Sequence, residues 1–172
     1  FVLSLGVSAV LGENFDKSFW SNFERMEGWI GLLHLSLYFF LVSTMFETEK
    51  AWKYFLNTTI AVSVVIGIYG LAQLAGFGTI HQGGVRVDAT LGNATYLAVY
   101  MLFHLFFTTL AYYKWALQSR ALQIWYGAAF ILQLFILYET STRGTILGLI
   151  AGAFVSGLIL VAFSKGNVAL KK

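Results

Sequence analysis

From Gly144 to Phe163 the chain reads GTILGLIAGAFVSGLILVAF, a run without a charged residue or a proline. A helix rises about 1.5 Å per residue, so roughly 20 apolar residues cross the hydrocarbon core of a bilayer. The run is continuous and lacks the two-residue alternation of a barrel strand, so it reads as a transmembrane helix. Upstream, Gly28–Phe46, Tyr54–Gly76, Leu91–Tyr113 and Ala121–Tyr138 read the same way, and Phe1–Leu11 reads as the tail of a further span. The expected fold class is an all-α polytopic membrane protein with five complete transmembrane helices plus part of one, forming a single transmembrane domain over residues 1–172. Phe1 opens inside an apolar run with no initiator Met or signal peptide, so the chain is expected to be a fragment of a longer protein.

Composition narrows the function classes. The chain is 58% hydrophobic and 11% charged, against about 25% charged in an ordinary soluble domain. A net charge of +3 spread over short clusters, with no basic face interleaved with aromatics, indicates membrane orientation and no nucleic-acid partner. Absence of cysteine excludes disulfides, thiolate metal sites and a cysteine nucleophile.

Six consecutive crossings place the connecting loops alternately on two sides. One side carries Lys50, Lys53, Lys114, Arg120, Lys165, Lys171 and Lys172; the other carries Lys17, Arg25, Arg86 and Arg143. The positive-inside rule makes the first side cytoplasmic and the second outer, or periplasmic. The outer loops are richer in arginine, with Arg25, Arg86 and Arg143 each near an expected membrane boundary. Arginine binds phosphate and carboxylate in a planar, bidentate way and stays charged when partly buried. Three of them at one boundary suit an anionic headgroup. Each also has an acidic neighbour, Arg25 with Glu24 or Glu27, Arg86 with Asp88 and Arg143 with Glu139, so loop salt bridges are the competing reading.

Three stretches carry more information. Before the first complete span stands Ser18-Phe19-Trp20-Ser21-Asn22-Phe23-Glu24-Arg25-Met26-Glu27-Gly28. The second outer loop runs Arg86-Val87-Asp88-Ala89-Thr90-Leu91-Gly92-Asn93-Ala94-Thr95 into a helix, and the last outer turn is Thr140-Ser141-Thr142-Arg143-Gly144. In this order and spacing they resemble the O-antigen ligase and O-antigen polymerase superfamily of bacterial membrane glycosyltransferases. An aromatic stretch before Arg-x-x-Gly, an Arg ahead of Thr-Leu/Phe-Gly-Asn, and a Ser-Arg-Gly turn occur there.

The resemblance implies a C-type glycosyltransferase fold in the bacterial inner (plasma) membrane, with the Arg25, Arg86 and Arg143 loops on the periplasmic side. It implies a polyprenyl-diphosphate-linked glycan donor and a glycan or lipid acceptor, such as lipopolysaccharide core or a growing surface glycan, among the membrane lipids. By motif position Arg86 and Arg143, then Arg25, would hold the diphosphate. Fixed cations stabilise a leaving group that gains negative charge, with no cofactor and no metal. No Asp-x-Asp pair or His/carboxylate cluster is apparent on the outer side. Ala94 departs from the proline of many members, and the large external loop carrying the histidine suspected of activating the acceptor is not in this chain. The catalytic residue is therefore unknown, and the fragment alone is not expected to turn over.

Local roles run alongside. Gly92 and Asn93 suit a turn and helix cap. Gly144, Gly148, Gly152 and Ser156 recur every four residues as a ridge for close helix packing, and Gly144 also lets Arg143 sit near backbone N–H groups that favour anions. His34 and His104 fall within spans, where hydrogen bonding to a neighbouring helix is expected. His81 reads as a solvated loop residue, and Gln73, Gln123 and Gln133 as interhelical or interfacial hydrogen-bonders. Two rivals stand beside this reading: a multi-span transporter of anionic or amphipathic substrates, in which the same arginines line a vestibule, and a non-catalytic membrane scaffold, which would need none of the arginines.

The topology is directly testable, since a cysteine-free chain accepts single cysteines without removing native ones. Cysteines placed near Arg25, Arg86 and Arg143 should label with an impermeant thiol reagent from outside the cell, and those near Lys50, Gln118 and Lys165 should not. The opposite pattern would put the arginines on the wrong face for a lipid-linked donor.

Overall fold

The structure, a computed structural model, describes residues 1–21, 28–81, 86–117 and 119–163. Among them there is helix and no strand. The helices are α1 (Val2–Leu11), α2 (Phe15–Trp20), α3 (Trp29–Met45), α4 (Glu49–Leu74), α5 (Ala94–Ala111), α6 (Arg120–Glu139) and α7 (Arg143–Phe163). A 3-10 turn over Ala89–Leu91 precedes α5, which runs on into a π-helical stretch at Tyr112–Ala116. Among the described residues four helices are long and apolar enough to cross a membrane: Glu49–Leu74, Ala94–Ala116, Arg120–Glu139 and Arg143–Ala162. This is a helical membrane architecture. The expected fifth span is shorter, because α3 has 17 residues and rises roughly 26 Å against about 30 Å of hydrocarbon.

The chain divides into two compact units, residues 1–52 and 53–172. In the first, α1, α2 and α3 pack on one another around Trp29. Its indole N–H donates to the Val2 carbonyl at 2.8 Å, and its ring lies where a Cβ on Gly6 would come within 2.7 Å, so only glycine fits beneath it. Asn14 caps α2 by accepting from the Lys17 backbone N–H at 3.2 Å, and Phe19 sits 5.6 Å from Trp29, centroid to centroid.

The second unit is built on the α5–α6 pair, with α4 against α6 and α7 against α5. Its interior is unusually polar for so apolar a chain. Gln133 on α6 donates to Ser63 Oγ on α4 at 2.8 Å and accepts from Thr108 Oγ1 on α5 at 3.0 Å. Two turns earlier on α6, the Tyr126 hydroxyl donates to Asn57 Oδ1 on α4 at 2.6 Å. Leu147, Ile150, Phe154, Val155 and Leu158 on α7, by contrast, are exposed. Polar groups inside and apolar ones outside is the arrangement hydrocarbon requires, because an unpartnered polar group facing lipid costs several kcal/mol.

Close approach of α4 to α6 depends on small residues. A Cβ on Gly67 would lie 3.0 Å from the Leu132 side chain, and one on Gly70 would lie 3.0 Å from Ile136 and 3.3 Å from Val87. The expected α7 ridge is only partly used for packing. Gly152 faces Phe106 and Gly148 faces Leu102, both on α5, but Gly144 meets nothing within 4 Å. The span histidines also differ from expectation, since each bonds within its own helix: His34 Nδ1 pairs with the Ile30 carbonyl and His104 Nδ1 with the Tyr100 carbonyl, both at 2.8 Å. Of the glutamines, Gln133 is interhelical, and Gln123 donates to the Leu117 carbonyl at 3.3 Å near the start of α6.

Gly70→Val should therefore destabilise by about 1–3 kcal/mol through overpacking. Gly127→Ala, on α6 with open space around it, should be neutral or stabilising by up to about 1 kcal/mol. Thermal unfolding of the detergent-solubilised protein measures both, and equal effects would contradict the α4–α6 contact.

Candidate functional site

At one end of the second unit lie the C-terminus of α4, the loop into α5, the α6–α7 turn and the start of α7. Helix α4 stops at a Schellman turn. Gly76 takes φ +85°, its N–H bonds the Gln73 carbonyl at 3.0 Å, and the Phe77 N–H bonds the Ala72 carbonyl at 2.9 Å. This places Gln73 in the last turn with its side chain buried. Its amide N–H₂ donates to the Thr79 carbonyl and to Asp88 Oδ1, each at 2.9 Å, and its Oε1 accepts from the Ala89 N–H at 2.8 Å.

Asp88 is fully buried, and its second oxygen meets the His81 backbone N–H at 2.8 Å and His81 Nδ1 at 3.2 Å. Burial, the largest single influence, works against ionisation. The Gln73 amide, the His81 backbone N–H, the His81 ring and its charge together outweigh it and hold the Asp88 carboxyl below its ordinary value of 3.8. Ala89 follows at φ +46°, a left-handed conformation that its hydrogen bond to Gln73 holds in place. Gly92, at φ +66°, turns the chain, and Asn93 Oδ1 accepts from the Thr95 N–H at 2.8 Å to cap α5. Both local roles expected of Gly92-Asn93 are realised.

Arg86 points elsewhere. Its Nε donates to the Thr140 carbonyl at 2.9 Å and an Nη to Thr142 Oγ1 at 2.8 Å. Thr140 is buried at the end of α6, Ser141 takes φ +52°, and the Thr142 carbonyl accepts from the Thr145 and Ile146 N–H groups to open α7. Arg86 is thus fastened to the residue preceding Arg143, which is the exposed first residue of α7. Both partners of Arg86 are neutral oxygens, and among the described residues its remaining N–H groups have no partner.

This corrects the salt-bridge reading for Arg86, because Asp88 is committed to Gln73 and His81. Among the described residues neither Arg86 nor Arg143 has an ion-pair partner, so the pairing of Arg143 with Glu139 is not formed either. Arg25 lies outside the described residues. Gly144 follows Arg143 in the first turn of α7.

A second correction concerns His81 and Asp88, seven residues apart. They form a histidine–carboxylate pair that inspection of the outer loops did not disclose. No cluster of three or more His, Asp or Glu residues able to hold a metal ion occurs among the described residues. Gln73, Thr140 and Thr142 were also invisible as site residues, since a glutamine ending an apolar run and threonines in a turn carry no signal of what they hold.

Compared with known protein families, curated proteins and solved structures, the chain matches none.

Asp88 generates a prediction whose sign follows from its lowered pKa. Its contribution is complete above the unfolded-state value of about 3.9 and is lost as pH falls through the lower folded-state value. Asp88→Asn sets an amide against the donors of His81 and should cost about 1–3 kcal/mol near neutrality. In thermal unfolding across pH, the gap to wild type should persist down to about pH 4 and close only below it. A gap that closes between pH 6 and 8 would contradict the ionised, buried carboxylate.

Proposed function

We propose that this chain belongs to a bacterial inner-membrane glycan ligase or polymerase of the O-antigen ligase and polymerase type. In this reading α3 is a fifth, short crossing, α1 belongs to a further one, and the Arg86 and Arg143 end faces the periplasm. The enzyme transfers a glycan from a polyprenyl-diphosphate carrier to a lipid or glycan acceptor. Support comes from the ordered motifs and, above all, from Arg86: a half-buried guanidinium pinned by a carbonyl and a hydroxyl, with no carboxylate among the described residues to neutralise it, tied to the residue before Arg143. A partly desolvated cation without a counter-ion loses some of its hydration, and an anionic ligand offsets that loss.

The chemistry follows from the charges. An acceptor hydroxyl attacks the anomeric carbon, and the diphosphate departs with the electron pair of the broken carbon–oxygen bond. Arg86 offers unused N–H donors in a fixed orientation, and Arg143 adds charge at a helix N-terminus, where backbone dipoles also favour an anion. Because the anchoring bonds of Arg86 already exist, little reorganisation is needed as charge develops.

One observation favours the transporter alternative. His104 is buried in α5 with its Nε2 unpartnered, and an intramembrane ionisable group of this kind marks proton or substrate paths in transporters.

The deciding experiment is glycan transfer by the full-length protein in membranes, with a polyprenyl-diphosphate-linked donor and several acceptors. Arg86→Ala and Arg143→Ala should each lower turnover by about 10²–10³-fold at matched expression, the range for removing one transition-state donor. Arg86→Lys should not restore it, because a lysine cannot bridge Thr140 and Thr142 with a planar fork. Full transfer without either arginine would refute the diphosphate site.

A further inference from the structure

Between α5 and α6, beside the π-helical stretch, the surface opens into a groove of about 380 Å³ whose wall is almost wholly carbon. The buried Thr108 and Tyr126 and the exposed Thr109, Tyr112 and Ile131 line it, together with Gly127. Three hydroxyls along it are already spent within the protein. Thr108 Oγ1 donates to Gln133, Thr109 Oγ1 to the Leu105 carbonyl at 2.8 Å, and the Tyr126 hydroxyl to Asn57. At Gly127 a Cβ would meet nothing within 4 Å, so the groove is open along α6. Both helices are long and apolar enough to cross a membrane, so what this groove faces is hydrocarbon.

Positive charge stands at one end of it. Arg120, Ile124, Gly127 and Ile131 are spaced by four, three and four residues, so they share one face of α6, and the first, second and last are exposed. From Arg120 to Ile131 that face rises about 16 Å, close to half of a hydrocarbon core roughly 30 Å thick. The stripe therefore has the length of one leaflet. Lys114, also exposed, lies in the π-helical stretch that packs on α6 at the same hairpin. Across α5, the π-helical stretch and α6 there is a single acidic residue, Glu139, at the far end of α6. Neither Arg120 nor Lys114 has an ion-pair partner among the described residues.

We propose that this groove binds one anionic phospholipid of the adjoining leaflet, with an acyl chain along Gly127 and Ile131, the phosphate at Arg120, and Lys114 adding charge. The inference needs only the membrane-spanning character of α5 and α6 and is independent of the transferase reading. Basic residues beside a span serve membrane orientation wherever they stand. Here they stand at the end of an apolar groove one leaflet long, which gives a headgroup a defined place. A packed helix would also cover the hydrocarbon, but it brings no phosphate to answer Arg120 and Lys114. Arginine suits the position because its planar fork meets two phosphate oxygens at once.

Native mass spectrometry of the detergent-solubilised full-length protein tests this, with phosphatidylglycerol and phosphatidylcholine of identical acyl chains as the probes. The wild type should hold at least one phosphatidylglycerol in preference to phosphatidylcholine. Arg120→Gln should weaken that retention about 5-fold, the loss of one basic residue facing an anionic lipid. Gly127→Leu, whose side chain enters the open groove, should remove the preference, and inorganic phosphate should not compete with the lipid. Ile131→Trp, at an exposed position, fills the other end of the groove and replaces Gly127→Leu where that variant does not fold. Equal retention of the two lipids by the wild type would overturn the proposal. A preference that survives both Arg120→Gln and a groove-filling variant would overturn the location. Competition by inorganic phosphate would remove the acyl chain from the site, and a dimer that a groove-filling variant dissociates would overturn the lipid in favour of a second copy of the chain.

Discussion

The carboxamide of Gln73 makes three hydrogen bonds, to the Thr79 carbonyl, to Asp88 and to the Ala89 N–H, and the architecture of one whole end of the second unit hangs on them. A buried amide must satisfy both its donors and its acceptor, so the loop has little freedom to lie otherwise. Asp88 follows Gln73, His81 follows Asp88, and the left-handed Ala89 is held where the 3-10 turn into α5 begins. Arg86, two residues upstream of Asp88, then reaches the turn that opens α7. Its partners link a loop to a turn 54 and 56 residues further along the chain.

The same demand for internal partners organises the helices. Gln133, Ser63 and Thr108 satisfy one another between α4, α5 and α6, while large apolar side chains cover the outside of α7. In hydrocarbon there is no apolar solvation gain from bringing helices together, so close packing at Gly67 and Gly70 and shared hydrogen bonds must supply the attraction. His104 is the exception among the described residues, with a buried ring nitrogen that finds no hydrogen-bond partner there.

Charge is arranged with equal economy. The one buried carboxylate of the loop is spent on amide and imidazole donors, which keeps it from neutralising Arg86. The guanidinium is instead positioned by uncharged oxygens. Among the described residues it is an oriented cation that no carboxylate engages.

Much of this was legible in the residues alone. Long uncharged runs impose helices, because only a helix satisfies its backbone within the segment, and this is why Tyr54–Gly76, Leu91–Tyr113, Ala121–Tyr138 and Gly144–Phe163 lie close to the observed α4, α5, α6 and α7. Asn93 as a cap and Gly92 in a turn were equally readable, since both effects are local to a few residues. The partners of Arg86, Asp88 and Gln73 were not. Adjacent opposite charges suggested an Arg86–Asp88 pair, but burial and the reach of α4 and the α6–α7 turn redirected each side chain to a different element. Sequence periodicity reports which residues must leave water; only the tertiary structure decides which polar group answers which, because that choice is made by groups far apart in the chain competing for the same few donors.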